Sequence, residues 1–243
     1  MSVLRFLSYL APSIPAGLFE VVARHVEETC GVPTTLEFET RISGPLEGDD
    51  DPFADGRADI GFVCAPAYRW MRDRVALLPA PVPLDARAGG RPVYFADVVV
   101  RGDSGIERFD DLRGRRWAYN DRNSRSGWFS MIDRVGGDTR FFSELFHAGS
   151  HLQSLAAIRE GRVDGAAIDS NVLFLQPREG LRVVESWGPF PIQPVIVRAG
   201  VDDALKARVA DALLTVHQRH DLSPFGFARF ASVTPADYDS PSS

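Results

Sequence analysis

The residues best placed to do chemistry lie between Tyr119 and Trp128, in the run Y-N-D-R-N-S-R-S-G-W. A short apolar strand, Trp117 to Tyr119, gives way to small polar residues, and an amphipathic helix, Trp128 to Val135, follows. This order places the Ser124 and Ser126 hydroxyls, with several unpaired backbone N–H groups, at a helix N-terminus. Such a terminus carries positive partial charge and suits a phosphate-like oxyanion. The same residues also read as a helix N-cap with nothing bound. Arg125, between the serines, either adds a charged donor or points to solvent.

Other residues invite weaker readings. Asp169, Ser170 and Asn171 end a buried strand, the place where α/β sheets put ligands. Tyr68 follows another strand near the same kind of edge, where it could touch a ligand or simply pack. His147 and His151 form H-x-x-x-H, but they fall on strand and turn rather than on one helical face, so no metal site is expected. Ser126, His151 and Asp169 could be taken as a catalytic triad, yet no G-x-S-x-G elbow accompanies them. The run Asp49-Asp50-Asp51 lacks the alternating acids of a calcium loop and reads as a solvated loop tip.

The elements that must position these groups alternate strand and helix, as in an α/β protein with largely parallel sheets. Val3 to Leu10 reads as a strand. Ser13 would cap a helix with Pro15 in its first turn, running to about Cys30 with Leu18, Val22 and Val26 on one face. Thr34 to Thr40 and Asp59 to Cys64 read as strands, separated by a turn-rich loop from Ser43 to Gly56. Then come a strand from Val93 to Arg101, a short helix, and the strand before the serine loop. A strand ending near Phe146, a helix from Leu152 to Glu160 and a strand from Val163 to Ile168 follow. Arg182 to Glu185 and Pro194 to Arg198 read as strands, and Asp202 to about His220 as a long helix with Leu205, Val209, Leu213 and Val216 in register. No internal repeat is evident, and only the tail D-S-P-S-S reads as disordered.

Composition bounds the possibilities. The 243 residues are 44% hydrophobic and 25% charged, an ordinary globular balance. That length allows one large domain or two small lobes. The net charge of −6 disfavours a nucleic-acid surface, so an anion site must be built locally. No apolar run is long enough to span a bilayer. The two cysteines, Cys30 and Cys64, read as buried thiols rather than a disulfide. The opening M-S-V-L-R-F-L-S-Y-L-A-P-S-I-P lacks a basic segment and a cleavage site, which points to the cytoplasm for the chain as written.

Taken in order, several segments resemble the phosphate, phosphite and phosphonate substrate-binding proteins of ABC transporters. They are R-A-D-I-G-F-V-C-A-P-A-Y, Y-F-A-D-V-V-V-R-G-D-S-G-I-E-R-F-D-D-L-R-G-R-R-W-A, D-R-N-S-R-S-G, F-F-S-E-L-F-H-A-G-S-H, G-R-V-D-G-A-A-I-D-S-N-V-L and P-I-Q-P-V-I-V-R, with P-A-D-Y-D near the end. The match runs from about Asp59 to Arg198. It implies the type II periplasmic-binding-protein fold, with Val93–Arg101 and Pro194–Arg198 as two crossing hinge strands. Lobe one would be residues 1–94 plus 195–243, and lobe two, carrying the serine loop, residues 95–194. Ligand would be captured in a cleft between them.

The resemblance also assigns roles. Ser124, Ser126 and Gly127 match the family's N-S-T-S-G, which holds phosphoryl oxygens, and Arg125 stands where the family usually has Thr. His151 closes a turn like the family's ligand-facing histidine, where an imidazolium would pair with a dianion. Tyr94 matches a tyrosine that reaches the ligand. In phosphonate binders, acids near Asn171 and Gln193 receive an amino group; neutral amides here argue against an aminoalkylphosphonate. The family's tyrosine after the second strand is absent, Ile42 and Ser43 standing there.

The implied function is capture of phosphate, phosphite or a non-amino phosphonate, without catalysis, metal or cofactor, with an ABC-transporter permease as partner. Family resemblance implies a periplasmic or extracellular location, against the cytoplasmic reading of the N-terminus. Two alternatives stay open: a cytoplasmic enzyme on the same fold, like the dehydratase of the alternative menaquinone pathway, and a ligand-sensing module.

Overall fold

The computed structural model of the protein describes residues 3–39 and 43–239. The chain opens with β1 (Leu4–Ser8), α1 (Ala16–Cys30), β2 (Thr34–Phe38), β3 (Ile60–Phe62), α2 (Ala65–Met71), β4 (Val75–Leu78) and β5 (Ala80–Pro83). Its middle comprises β6 (Val93–Arg101), β7 (Arg116–Tyr119), α3 (Ser130–Arg134), β8 (Glu144–His147), α4 (His151–Arg159), β9 (Gly165–Asp169), α5 (Ser170–Phe174) and β10 (Leu181–Pro191). It closes with β11 (Val195–Arg198), α6 (Asp203–Thr215) and β12 (Phe227–Ala231). Two compact units result: one of the residues up to Val93 with those from Pro191 onward, the other of Tyr94–Phe190.

The first unit is built on a five-stranded sheet of order β2-β1-β3-β11-β4. β1 runs parallel to β2 and β3, and β11 antiparallel to β3 and β4. Leu18, Val22 and Val26 form the buried stripe of α1, and Gly31 ends that helix in the left-handed conformation, φ +63°. Ser13 does not cap it. Leu10 to Ile14 already form a turn closed by the Ile14 N–H on the Leu10 carbonyl, so Pro15 takes the N-cap position with no side-chain cap. α6 ends at Thr215, short of His220, and passes into a tighter turn at Val216–Gln218. β12 pairs antiparallel with β5 in a separate two-stranded sheet.

The acidic run is a solvated loop tip, Asp49 and Asp50 being exposed, and its acids are engaged locally. Asp51 accepts from the Phe53 and Ala54 N–H groups and pairs with Arg74, Asp49 accepts from the Leu46 N–H, and Asp50 pairs with Arg57. Each acid closes a turn or neutralises a neighbouring arginine. Ile42 and the tail from Ser240 lie outside the described residues. Cys30 is a buried free thiol and Cys64 a half-buried one.

The second unit has a sheet of order β10-β6-β9-β7-β8. β7 is parallel to both β8 and β9, and β6 is antiparallel to β9. The carboxyl ends of β7, β8 and β9 therefore open on the same edge. One face is a cluster of Val99, Leu155, Ile158, Ile168 and their neighbours; Phe109, Trp117, Phe141, Phe142 and Trp187 pack ring against ring elsewhere in the unit.

A local arrangement recurs in the two units. Asp59, just before β3, donates its N–H to the Arg5 carbonyl, and its carboxylate accepts from the Arg5 N–H and guanidinium. Asp164, just before β9, does the same with Arg116. In the first unit Arg198 adds a second guanidinium at 2.7 Å. Each pair clamps the amino ends of two neighbouring parallel strands in register. Burial alone would raise the Asp59 pKa, but hydrogen bonds from Arg5 and Arg198 hold it below the ordinary carboxylate range.

Candidate functional site

Strand β7 delivers the chain to Asn120, and the serine loop follows. Ser124 is the N-cap: its Oγ accepts from the Gly127 N–H at 3.1 Å, and its carbonyl accepts from both Trp128 and Phe129. The following turn, Arg125–Phe129, is a single π-helical turn that runs directly into α3. The helix therefore starts at Arg125, ahead of Trp128, and Ser126 and Gly127 belong to its first turn. Such π-turns are uncommon and often accompany functional sites. The N–H groups of Arg125 and Ser126 open the turn, ahead of Trp128 and Phe129, whose N–H groups bond back to the Ser124 carbonyl.

His151 is the first residue of α4, not part of a free turn, and Ser150 caps that helix by accepting from the Gln153 N–H. Its Nε2 lies 3.1 Å from the Ser126 Oγ, which ties the two helix starts together. The imidazole is buried, its Nδ1 has no partner among the described residues, and burial pushes its pKa down to about 3. Without ligand, burial favours the neutral imidazole; the imidazolium implied by the resemblance is the form paired with a bound anion. The resemblance alone supplied an anion to charge it, whereas the fold supplies only desolvation.

Arg125 does not point outward. Its side chain is 5% exposed, with Nη2 at 2.8 Å from the Asp133 carboxylate and Cζ 4.5 Å from the centre of the Phe190 ring. Its Nε has no acceptor among the described residues.

Asp169 caps α5 by accepting from the Asn171 N–H at 2.8 Å, while the Ser170 Oγ accepts from the Phe95 N–H and fastens α5 to β6. The Asn171 side chain is buried, and neither its Oδ1 nor its Nδ2 has a partner among the described residues. Tyr94 is buried with its ring 5.9 Å from that of Phe190. Tyr68 belongs to the first unit, on α2, where it packs in the core with its ring 5.2 Å from that of Tyr238. Burial raises the pKa of the Tyr68 phenol.

Sequence reasoning passed over Asn120. A Cβ built on Gly127 would come within 1.7 Å of the Asn120 Oδ1, 2.8 Å of its Cγ and 3.4 Å of the His151 Cε1. A larger residue there would require the Asn120 carboxamide to shift. The Asn120 Oδ1 is buried without a partner among the described residues. The available signal was a carboxamide directly after the apolar strand W-A-Y. Asn120, the serine loop, His151 and Asn171 thus follow the carboxyl ends of three parallel strands, with N–H donors, a hydroxyl and several unsatisfied side-chain atoms. Buried polar atoms left without partners are rare and call for a ligand, water or ion.

Comparison with known proteins supplies the family and the fold. The family described as the periplasmic substrate-binding protein of phosphonate ABC transporters matches residues 6–238. Among solved structures, a binding-protein component of a phosphonate ABC transporter from Pseudomonas aeruginosa is similar at TM-score 0.78 and 16% identity, over 97% of this chain and 83% of that one. PhnD1 from Prochlorococcus marinus, in complex with methylphosphonate, has TM-score 0.78 and 12% identity, over 98% and 94%. A Xanthomonas citri protein bound to ATP has TM-score 0.68 and 18% identity, over 98% and 93%. The fold is the two-lobed type II fold of periplasmic binding proteins. By a match that spans nearly its whole length, the chain belongs to the family of periplasmic substrate-binding proteins of phosphonate ABC transporters.

Proposed function

We propose that the protein is a non-catalytic solute-binding protein that captures a small phosphorus oxyanion (phosphate, phosphite or a non-amino phosphonate) for an ABC-transporter permease outside the cytoplasmic membrane. The observation that carries the reading is the meeting of the Ser126 hydroxyl, in the first turn of a π-helical helix start, and His151 at one sheet edge. Ser124, Gly127, Tyr94, Asp169 and Asn171 complete the set, and Arg125 lends charge through its buried guanidinium. The ligands of two similar structures, methylphosphonate and ATP, both present phosphoryl oxygens, which suits this donor set.

Two features support binding over catalysis. The His151 Nδ1 meets no carboxylate, so nothing orients the imidazole as a general base. Asp169 spends a carboxylate oxygen on capping α5. No described helix is long and apolar enough to cross a membrane, so transport would require a separate permease.

Titration calorimetry with phosphate, phosphite and methylphosphonate tests the reading. Saturable binding of at least one is expected, and flat traces for all three would overturn it. Ser126→Ala should weaken binding by about 1–3 kcal/mol, the cost of leaving a buried oxyanion one donor short. Unchanged affinity would remove Ser126 from the site.

A further inference from the structure

The donors described above explain how an oxyanion is held, but they leave the buried acceptors unexplained. A fully deprotonated phosphonate offers only lone pairs, so it cannot satisfy the Asn120 Oδ1. That atom packs against the Gly127 backbone, where an added Cβ would fall 1.7 Å from it and 3.4 Å from the His151 Cε1. It has no donor among the described residues. Asn171 repeats the pattern at the end of the next parallel strand, with one acceptor and one donor unsatisfied. Leaving such atoms empty in a bound complex is costly, and the cost disappears only if the ligand brings a hydrogen to donate.

Charge points the same way. The one buried cation of the serine loop, Arg125, is already paired with Asp133, and His151 is buried without a carboxylate beside it. Helix-terminal N–H groups offer partial charge only. A site of this kind suits a single negative charge better than two.

Building on the oxyanion-binding reading, we propose that Asn120 is a specificity-determining residue whose carboxamide oxygen accepts a P–OH proton of a monoanionic phosphate or phosphonate, excluding tetrahedral anions that carry no proton. Sulfate has the same shape and oxygen count as phosphate but no such hydrogen near neutral pH. It is the natural decoy.

The test is calorimetric titration of the intact protein with phosphate, methylphosphonate and sulfate at pH 5.5 and pH 8.5. Phosphate or methylphosphonate should bind at pH 5.5 at least about tenfold more tightly than sulfate, the scale set by one unsatisfied buried acceptor. Methylphosphonate affinity should fall at pH 8.5, where that ligand loses its only P–OH proton; phosphate, which keeps one proton as the hydrogen phosphate dianion, should lose less. Asn120→Leu, checked for folding by thermal melt, should bring sulfate and phosphate to within about threefold of each other. His151→Gln should keep the pH dependence, because the proton rides on the ligand; its loss would move the proton to the imidazole and overturn the proposal.

Sulfate binding as tightly as phosphate in the wild type would also overturn it while leaving the oxyanion reading intact. Silence with all three ligands, and with phosphite as well, would overturn both. If Asn120→Leu does not fold, the wild-type sulfate comparison decides alone.

Discussion

The neutral, buried His151 makes stability depend on pH in a way that one substitution can isolate. In the unfolded chain its imidazole titrates near pH 6.5, whereas in the folded protein burial pushes the value down to about 3. Between those limits the unfolded chain holds a proton that the folded chain refuses, so acid favours unfolding and stability is lost as the pH falls below 6.5. From pH 7 to pH 5 the unfolded state gains RT times the logarithm of about 25 from this group, or about 2 kcal/mol. His151→Gln removes the titration while keeping a neutral side chain within reach of the Ser126 hydroxyl. Urea unfolding of both proteins at pH 7 and pH 5 measures the effect as a difference of differences. The half-buried acids and the lowered His25 are common to both and cancel. The wild type should lose about 2 kcal/mol more than the variant on acidification. Equal losses would mean that the imidazole is hydrated or ion-paired in solution, and the account of a desolvated, neutral histidine would fail.

Two further perturbations probe the frame around the site. Asp59→Asn puts an amide N–H₂ against the Arg5 and Arg198 donors, and should cost about 2–4 kcal/mol in urea unfolding; partial exposure of both arginines keeps it at the lower part of the range for a broken buried pair. The same change should flatten the acid limb of the stability curve, since Asp59, held below the ordinary carboxylate range, contributes at neutral pH and loses that contribution as pH falls; a loss under about 0.5 kcal/mol would show the clamp to be decorative. Gly127→Ala drives a methyl group into the Asn120 carboxamide, and should lower the thermal midpoint by the equivalent of about 1–3 kcal/mol and weaken oxyanion binding; an unaltered midpoint and affinity would mean that Asn120 yields freely.

Much of the frame was legible because its signals are local. Strand, polar run and helix are written into W-A-Y-N-D-R-N-S-R-S-G-W, and the Leu18, Val22, Val26 stripe of α1 is read directly from spacing. What escaped depends on partners far away in the chain. β4 and β5 went unread because Pro79, Pro81 and Pro83 mask a strand pattern that the neighbours β11 and β12 complete by pairing. The π-turn escaped because two N–H groups share the Ser124 carbonyl, while Asn120 crowds Gly127 from the preceding strand end. The burial of His151 escaped for a similar reason. A histidine after A-G-S is visible in sequence, but its burial is supplied by tertiary packing.

The recurring aspartate clamp explains why the second unit's sheet has one quiet end and one reactive end. Asp59 and Asp164 saturate their carboxylates on strand N–H groups and guanidinium groups, so the amino ends of the parallel strands carry polar groups already satisfied. At the same distance in sequence beyond these acids the chain leaves β3 at Cys64 and β9 at Asp169, each the N-cap of the next helix. The frame is shared, but the side chains set on it differ. The first unit continues Ala65-Pro66-Ala67, with nothing polar to satisfy, and the second continues Ser170-Asn171, with a carboxamide buried and unpartnered. A protein needing only a stable sheet gains nothing from burying Asn120, Asn171 and His151 half-satisfied, since each such atom weakens the fold by about 1–3 kcal/mol. The same strand ends filled with hydrocarbon would be more stable. That these polar groups gather at the end of the frame the clamp leaves free is what marks it as the place where binding energy is meant to be recovered from a ligand.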